Sequence, residues 1–363
     1  MKFRLFCLAI AVGTLLVPGR GGSAQEQFPF QIFDRYLEPL IQQIGMPGLS
    51  AVILQNGRVA WEKYYGFADV ENNVRTSANT LYPVGGVTQA VTGVLVGVCA
   101  DRYFFRVDQD IRTFAPAFPV ERTSIRQVLA HATDGRFRYD ATLFSALTPV
   151  VEGCTGQAFR QAMATEVLNR LTLTNSVPGL DLNRPEGGAA RALFPPSEVE
   201  RYQRLLANVA VPYRIDAKAR SFRSEYSSFG LDAANGLVTT AADLARFEGE
   251  LDKRNGVPLS FSTLDQMWSN QVFPINNQTI VTPTGLGWFV TMESGQRLVW
   301  SFGHLPNAGS ALIVKMPSND LTRKPSLTLI LLANSGGLAQ GYDLENANVT
   351  SSPFVKIFLR LFI

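Results

Sequence analysis

Histidine is scarce in this chain: its 363 residues include two, His131 and His304. With no Cys/His cluster, a His-rich metal site is excluded, and neither a metal nor a cofactor is expected. Cysteine is almost as rare, at Cys7, Cys99 and Cys154. Cys7 lies inside the first apolar stretch with no small-residue cleavage pattern before it, which argues against lipid attachment. Membrane-spanning runs are missing as well. The stretch Leu5 to Val17 falls short of the ~20 residues that a spanning helix needs, and no other apolar run reaches that length. Charge of one sign is not in excess. The formal net charge of +3 equals the contribution of Lys2, Arg4 and Arg20, so the rest of the chain is balanced. That excludes the basic footprint of a nucleic-acid binder or of a protein drawn to an anionic membrane surface. No internal repeat or low-complexity tract is present.

What is there reads as a globular chain, 46% hydrophobic and 17% charged. Its start has the pattern of a signal peptide. Lys2 and Arg4 precede the apolar stretch, and Gly22-Ser23-Ala24 suits cleavage after Ala24. We therefore expect residues 1–24 to be a signal and 25–363 to form a single domain, exported to the periplasm or outside the cell, with no transmembrane anchor in the mature chain. Export makes a Cys99–Cys154 disulfide chemically possible. Two buried thiols fit the same apolar contexts equally well.

Hydrophobic spacing at Phe33, Leu37, Leu40, Ile41 and Ile44 predicts a helix over 30–44, which Pro39 should bend or shorten. Residues 49–56 and 58–65 are two strand-like runs around Asn56-Gly57, a strong hairpin turn. From about 85 to 270 the chain reads mostly helical, with helices expected at Val87–Ala100, Ser124–Ala130, Thr142–Cys154, Gln157–Leu171 and Ala241–Leu251. Thr240 should cap the last of these. Pro178–Arg220 reads as polar, irregular surface loop with some helix. Strands return at Gly287–Met292, Arg297–Phe302, Ser310–Met316 and Ser326–Ala333. Phe354–Ile363 should be a helix docked on the sheet. Strands at both ends and helices between give an α+β fold: an antiparallel β-sheet flanked by N- and C-terminal helices, with a large mostly helical insert. The sheet lobe should comprise about 28–80 and 280–363, the helical lobe about 81–279.

The run Pro47-Gly48-Leu49-Ser50-Ala51-Val52, then Tyr65-Gly66-Phe67-Ala68-Asp69, resembles the opening strands of the serine β-lactamase-like and penicillin-binding-protein-like family. That group includes class C β-lactamases, DD-peptidases and related esterases. The resemblance continues through Leu129-Ala130-His131-Ala132-Thr133-Asp134-Gly135, Asn235-Gly236-Leu237-Val238-Thr239-Thr240-Ala241-Ala242-Asp243, Gly285-Leu286-Gly287-Trp288 and Phe302-Gly303-His304. It closes at Leu331-Leu332-Ala333-Asn334, so it covers roughly 30–340. It implies a β-lactamase/transpeptidase-like fold. The family's chemistry rests on Ser-x-x-Lys at a helix start, where the lysine one turn on helps to activate the serine.

At the matching positions this chain has Gly86 and Gln89. Glycine has no side-chain oxygen, and an amide is neither a base nor a cation. No displaced copy exists: no lysine has a serine three residues before it, and there is no Gly-x-Ser-x-Gly elbow. The family's Tyr-x-Asn becomes Tyr139-Asp140-Ala141. Its Lys-Thr-Gly or His-x-Gly becomes His304-Leu305-Pro306. Without a lysine at 89, Tyr139 should remain a neutral phenol, although Arg136 and Arg138 offer partial substitutes for that charge. His131 and His304 both read as structural histidines. Asp134 and Asp140 are a weak candidate acid–base pair, read first as solvated or capping residues. Thr88 should turn away from position 86, and Thr92 should lie deeper.

Gly86, Gln89, Tyr139, Ala141 and His304 are thus the degenerate family positions. Of these, Gly86, Gln89, Tyr139 and His304 are the candidates for a ligand-binding cleft. The leading expectation is an exported pseudoenzyme that acts by binding a peptide, a glycan, an acylated small molecule or a protein partner. An active hydrolase or acyltransferase with a non-standard nucleophile is the alternative, and a scaffold that works through surface contacts is the third.

Overall fold

The computed structural model describes residues 24–363 apart from 103, 228–229, 276–277 and 319–323. The signal-peptide expectation for 1–24 therefore lies almost wholly outside the described residues. The principal sheet has seven antiparallel strands: β1 (Gly48–Gln55), β2 (Arg58–Asp69), β3 (Val74–Arg75), β4 (Phe289–Glu293), β5 (Gln296–Leu305), β6 (Gly309–Met316) and β7 (Leu327–Ala333). Their order is β4-β5-β6-β7-β1-β2-β3. The first and last of them pair directly, with Leu49 opposite Ala333 and Gln55 opposite Leu327. Two distant parts of the chain thus make one sheet.

The hairpin turn falls where the dipeptide allows it. Asn56 and Gly57 have φ of 51° and 70°, the left-handed pair that a two-residue hairpin demands.

The central strands are buried on both faces, and their alternation sorts two cores. Leu49, Ala51, Ile53, Leu312, Val314, Leu329 and Leu331 face an outer core with α1 (Ala24–Ile44) and the C-terminal helix. Val52, Leu54, Ala311, Ile313, Ile330 and Leu332 face the helical lobe. The C-terminal helix, Pro353–Phe362, buries Phe354, Val355, Phe358 and Leu359, each side chain contributing about 1.5–3 kcal/mol. Lys356 and Arg360 stay in solvent.

The helix at 24–44 corrects one expectation, because it runs through Pro39 uninterrupted. A proline in a helix interior costs about 3 kcal/mol. Burial of Phe30, Phe33, Leu37 and Ile41 against the sheet offsets that cost. Asp34 adds a tie, accepting from Tyr65 Oη at 2.6 Å and Lys63 Nζ at 2.7 Å.

In the helical lobe, α2 (Val87–Asp101) is buried from Val87 to Cys99. It is enclosed by protein on every side, and its buried polar side chains Thr88, Gln89 and Thr92 each have a hydrogen-bond partner. α3 (Ile125–Leu129) opens on a Ser124/Gln127 capping box. The helix expected over 142–154 is instead Ala141–Phe144, a 3-10 turn at Ser145–Leu147, and α4 (Thr148–Thr155). Pro149 has no N–H to continue a helix from the preceding turn, so it starts a new one. The helix expected over 157–171 is α-helical at Phe159–Met163 and widens to a π-turn at Ala164–Asn169. Cys99 of α2 and Cys154 of α4 form a disulfide.

α5 (Ala241–Asp252) is capped by Thr240, whose hydroxyl accepts from Asp243 N. On the sheet beneath it, the fully buried Lys315 ammonium meets Asp252 at 2.6 Å and Glu248 at 2.9 Å. The 178–220 stretch is not merely surface. Leu180, Leu182, Ala190, Phe194, Tyr202 and Leu206 form a small core with Leu81, Val177, Val238 and Leu305, because Pro196–Leu206 is a helix with one apolar face. Among the described residues no helix is long and apolar enough to cross a membrane.

Candidate functional site

The site lies where the start of α2 meets the free part of β5. Residues 84–86 and 302–304 run backbone against backbone. A Cβ on Gly303 would sit 1.9 Å from the Val84 carbonyl oxygen, so only glycine permits the approach. Beside this seam opens a cleft of about 280 Å³. Gly86, Tyr139, Ala141 and His304 line it, together with Ser227, Asn235 and Glu345. Four of the five degenerate positions are therefore gathered around one space.

Gln89 is the exception and a correction. It does not line the cleft but is buried beneath it, because α2 carries position 89 one turn inward. There it bridges two rings. Its Oε1 lies 2.9 Å from His131 Nε2, and its Nε2 donates to Tyr139 Oη at 3.1 Å. His131 ends α3 with φ of 49°, a left-handed conformation that costs a non-glycine residue about 1 kcal/mol. That turn aims the imidazole at Gln89 and stacks it on Phe144 and Tyr139, with centroids 5.0 Å and 4.7 Å away.

The proton positions follow from hydrogen-bond bookkeeping. Asp140 N–H donates to His131 Nδ1 at 3.2 Å, so Nδ1 accepts and Nε2 carries the hydrogen. Nε2–H donates to the Gln89 carbonyl, which leaves the Gln89 amide to donate to Tyr139. Burial holds the imidazole down to about 4, against the opposing pull of Asp140, so His131 is neutral at ordinary pH. Burial likewise pushes the Tyr139 phenol up to about 12, against the lowering effect of Gln89's donated bond. Among the described residues no lysine or arginine lines the cleft, and Arg136 and Arg138 are exposed to solvent. Tyr139 is thus a neutral phenol, not a base.

Position 86 is closed as well as empty of chemistry. A Cβ there would lie 2.7 Å from Phe302 O and 2.8 Å from Tyr139 Oη. His304 is half-buried and faces Glu345 across the cleft. Its imidazole is lowered by burial, with Glu345 pulling the other way. Asp134 and Asp140 cap local turns, accepting from Arg136 N at 3.0 Å and Leu143 N at 2.9 Å. They form no acid–base pair. Thr88 accepts from Leu237 N, and Thr92 donates to Ala233 O at 2.7 Å, both away from the cleft.

Ser227, Glu345 and Asn235 are lining residues that motif reading did not single out. Only Asn235 had a signal, through its place in the Asn235-Gly236 run. A larger groove of about 910 Å³ opens toward the far end of α2. None of the five positions lines it. Its Arg102 and Arg170 pair with Glu166, and its Arg126 pairs with Asp108.

A family model described as Beta-lactamase matches residues 33–351. The chain belongs to the beta-lactamase family. The fold agrees with this. The octameric penicillin-binding protein homologue from Pyrococcus abyssi superposes with a TM-score of 0.68 at 18% identity, over 88% of this chain and 77% of that one. The penicillin-binding protein from Bacillus halodurans gives 0.65 at 13% identity, over 90% and 98%. At such identities the likeness establishes fold alone.

Curated relatives match more locally. Protein flp of Staphylococcus aureus strain N315 is 30% identical over 109 residues, 28% of this chain and 22% of that protein. A beta-lactamase of Pseudomonas fluorescens is 30% identical over 87 residues, 24% of each. The chain thus matches less than a quarter of the length of these curated relatives. The beta-lactamase fold is present here, with glycine lining the cleft at the position read as nucleophile and glutamine buried beneath it at the position read as lysine.

Proposed function

We propose that this beta-lactamase family member forms no acyl-enzyme and acts as an exported ligand-binding protein through the cleft at the start of α2. The observation that carries this reading is the state of position 86. It has no side chain, and the Phe302 carbonyl and the Tyr139 hydroxyl occupy the space that a side chain would need. Nucleophilic catalysis requires a nucleophile and a group to activate it. Gln89 is spent on holding two neutral rings, and among the described residues no lysine or arginine lines the cleft beside Tyr139. Export is supported by the signal-like start of the sequence and by the Cys99–Cys154 bond, which suits an oxidising compartment.

A second reading has one observation in its favour. The Ser227 hydroxyl and the His304 imidazole line the same cleft with Glu345, a set from which an active hydrolase could draw a non-standard nucleophile. One experiment separates the two. The mature protein is incubated with a penicillin, an activated ester and a fluorophosphonate, and its intact mass is recorded. Ligand binding without acylation leaves the mass unchanged. A stoichiometric adduct defeats the first reading, and an adduct mapped to Ser227 establishes the second.

A further inference from the structure

The chain of hydrogen bonds beneath the cleft has one loose end. Asp140 N–H, His131 and Gln89 each donate to the next member, and the last donation arrives at Tyr139 Oη. The phenol oxygen is therefore an acceptor toward the protein, and its own hydrogen has no protein acceptor among the described residues. The direction cannot reverse without conflict. Turning the Gln89 amide around would require Nε2 to accept and Nδ1 to carry the hydrogen, which would then face the Asp140 N–H. Tyr139 lines the cleft and Gln89 does not, so the free phenolic hydrogen is the part of this network that a ligand meets. The Gly86 amide, at the start of α2, also donates to no protein acceptor among the described residues. Among the described residues that line the cleft, the only acidic or basic side chain besides His304 is that of Glu345.

We propose that Gln89 and His131 are positioning residues that fix the Tyr139 hydroxyl as a hydrogen-bond donor to the cleft. The cleft then takes an uncharged ligand through an acceptor oxygen, as in a secondary amide, and disfavours an anion. This rests on the ligand-binding reading above and names the ligand class of that same site. The donor gives the ligand oxygen its partner, while Glu345, with no lysine or arginine to offset it, opposes a carboxylate. A neutral hydrogen bond of about 1 kcal/mol corresponds to roughly a fivefold change in affinity.

The test uses the whole mature protein carrying 13Cζ-labelled tyrosine, with the Tyr139 resonance assigned from Tyr139→Phe. The probes are N-acetylglycine N-methylamide and N-acetylglycinate, which share a body and differ in end charge. We expect the diamide to shift the Tyr139 resonance saturably and the carboxylate to bind at least fivefold more weakly. Gln89→Glu is close to isosteric but only accepts, so it draws both the His131 Nε2–H and the Tyr139 O–H inward. It should weaken the diamide about fivefold, which a merely structural role for residue 89 would not do. Equal binding by Gln89→Glu, or a Tyr139 resonance that the diamide does not move, overturns the proposal.

A long-range 1H–15N spectrum of the native protein gives a check that needs neither ligand nor variant. It should show His131 protonated at Nε2, and a hydrogen on Nδ1 overturns the proposal by reversing the chain. Acylation in the intact-mass experiment would instead defeat the ligand-binding reading itself, so the two failures are distinguishable.

Discussion

A single added carbon at position 86 should destabilise this protein, and the size of the effect can be worked from its surroundings. Gly86 has φ of −62° and ψ of −12°, a conformation open to every L-residue. On backbone grounds alone Gly86→Ala would stabilise by about 0.4–1 kcal/mol, because alanine restricts the unfolded chain. Against this stands the added Cβ, 2.7 Å from Phe302 O and 2.8 Å from Tyr139 Oη. The first is backbone of an internal strand. The second is held by Gln89 and by ring contacts with His131 and Phe302. Neither yields freely, and overpacking of this kind costs about 1–3 kcal/mol. The expected net is a loss of about 1–2 kcal/mol, read as a lower urea midpoint with an unchanged slope.

A double-mutant cycle locates the cause. Tyr139→Phe removes one of the two close oxygens, so Gly86→Ala should cost less in that background than in the native protein. The same overlap bears on function. Gly86→Ser with Gln89→Lys would restore the two missing groups and still gain no penicillin adduct, because the serine Cβ meets the same oxygens. A Gly86→Ala variant as stable as the native protein or more so, or prompt acylation of the serine–lysine variant, would refute the reasoning.

Two further outcomes follow from the buried histidine and from the disulfide. His131 titrates at about 4 in the folded protein against 6.5 unfolded, a gap worth about 3 kcal/mol at ~1.36 kcal/mol per pH unit. Its folded value is depressed, so the unfolded chain takes the proton first. The contribution is complete above pH 6.5 and is lost as pH falls toward 4. The native protein's stability advantage over His131→Gln should shrink across that window, while titrations common to both proteins cancel. A difference that does not vary with pH would show that His131 is not held neutral. The Cys99–Cys154 bond closes a loop of sequence separation 55, which loop entropy values at about 4 kcal/mol. Chemical unfolding of Cys99→Ala/Cys154→Ala should show a loss of that order, and reductant should abolish the difference. Two free thiols titrated in the denatured native protein would contradict it.

Much of the fold was legible because its signals are local. The Asn56-Gly57 turn, the apolar strand runs 49–55 and 327–333, and the Thr240 cap each depend on a few neighbouring residues. Where reading failed, tertiary packing overrode a local rule. Pro39 sits inside a helix because the buried face of α1 outweighs its cost. The polar 178–220 stretch encloses a small core because one face of the Pro196–Leu206 helix is apolar. The 142–171 helices divide at Pro149 and widen at Ala164–Asn169, and only the first of these breaks has a residue that marks it.

The sequence by itself determined that no Ser-x-x-Lys pair is present, because a missing side chain needs no geometry to be missing. It also placed Gly86, Gln89, Tyr139, Ala141 and His304 as members of one set. Tertiary structure alone decided what those positions became. His131 and Gln89 are 42 residues apart, and Gln89 and Tyr139 are 50 apart. Their bonds depend on how loops return to α2 rather than on any local pattern. The same holds for the Phe302 carbonyl that closes position 86, for the Cys99–Cys154 pairing, and for the acids that meet Lys315. A sequence fixes which groups exist. The path of the chain through space decides which of them face one another.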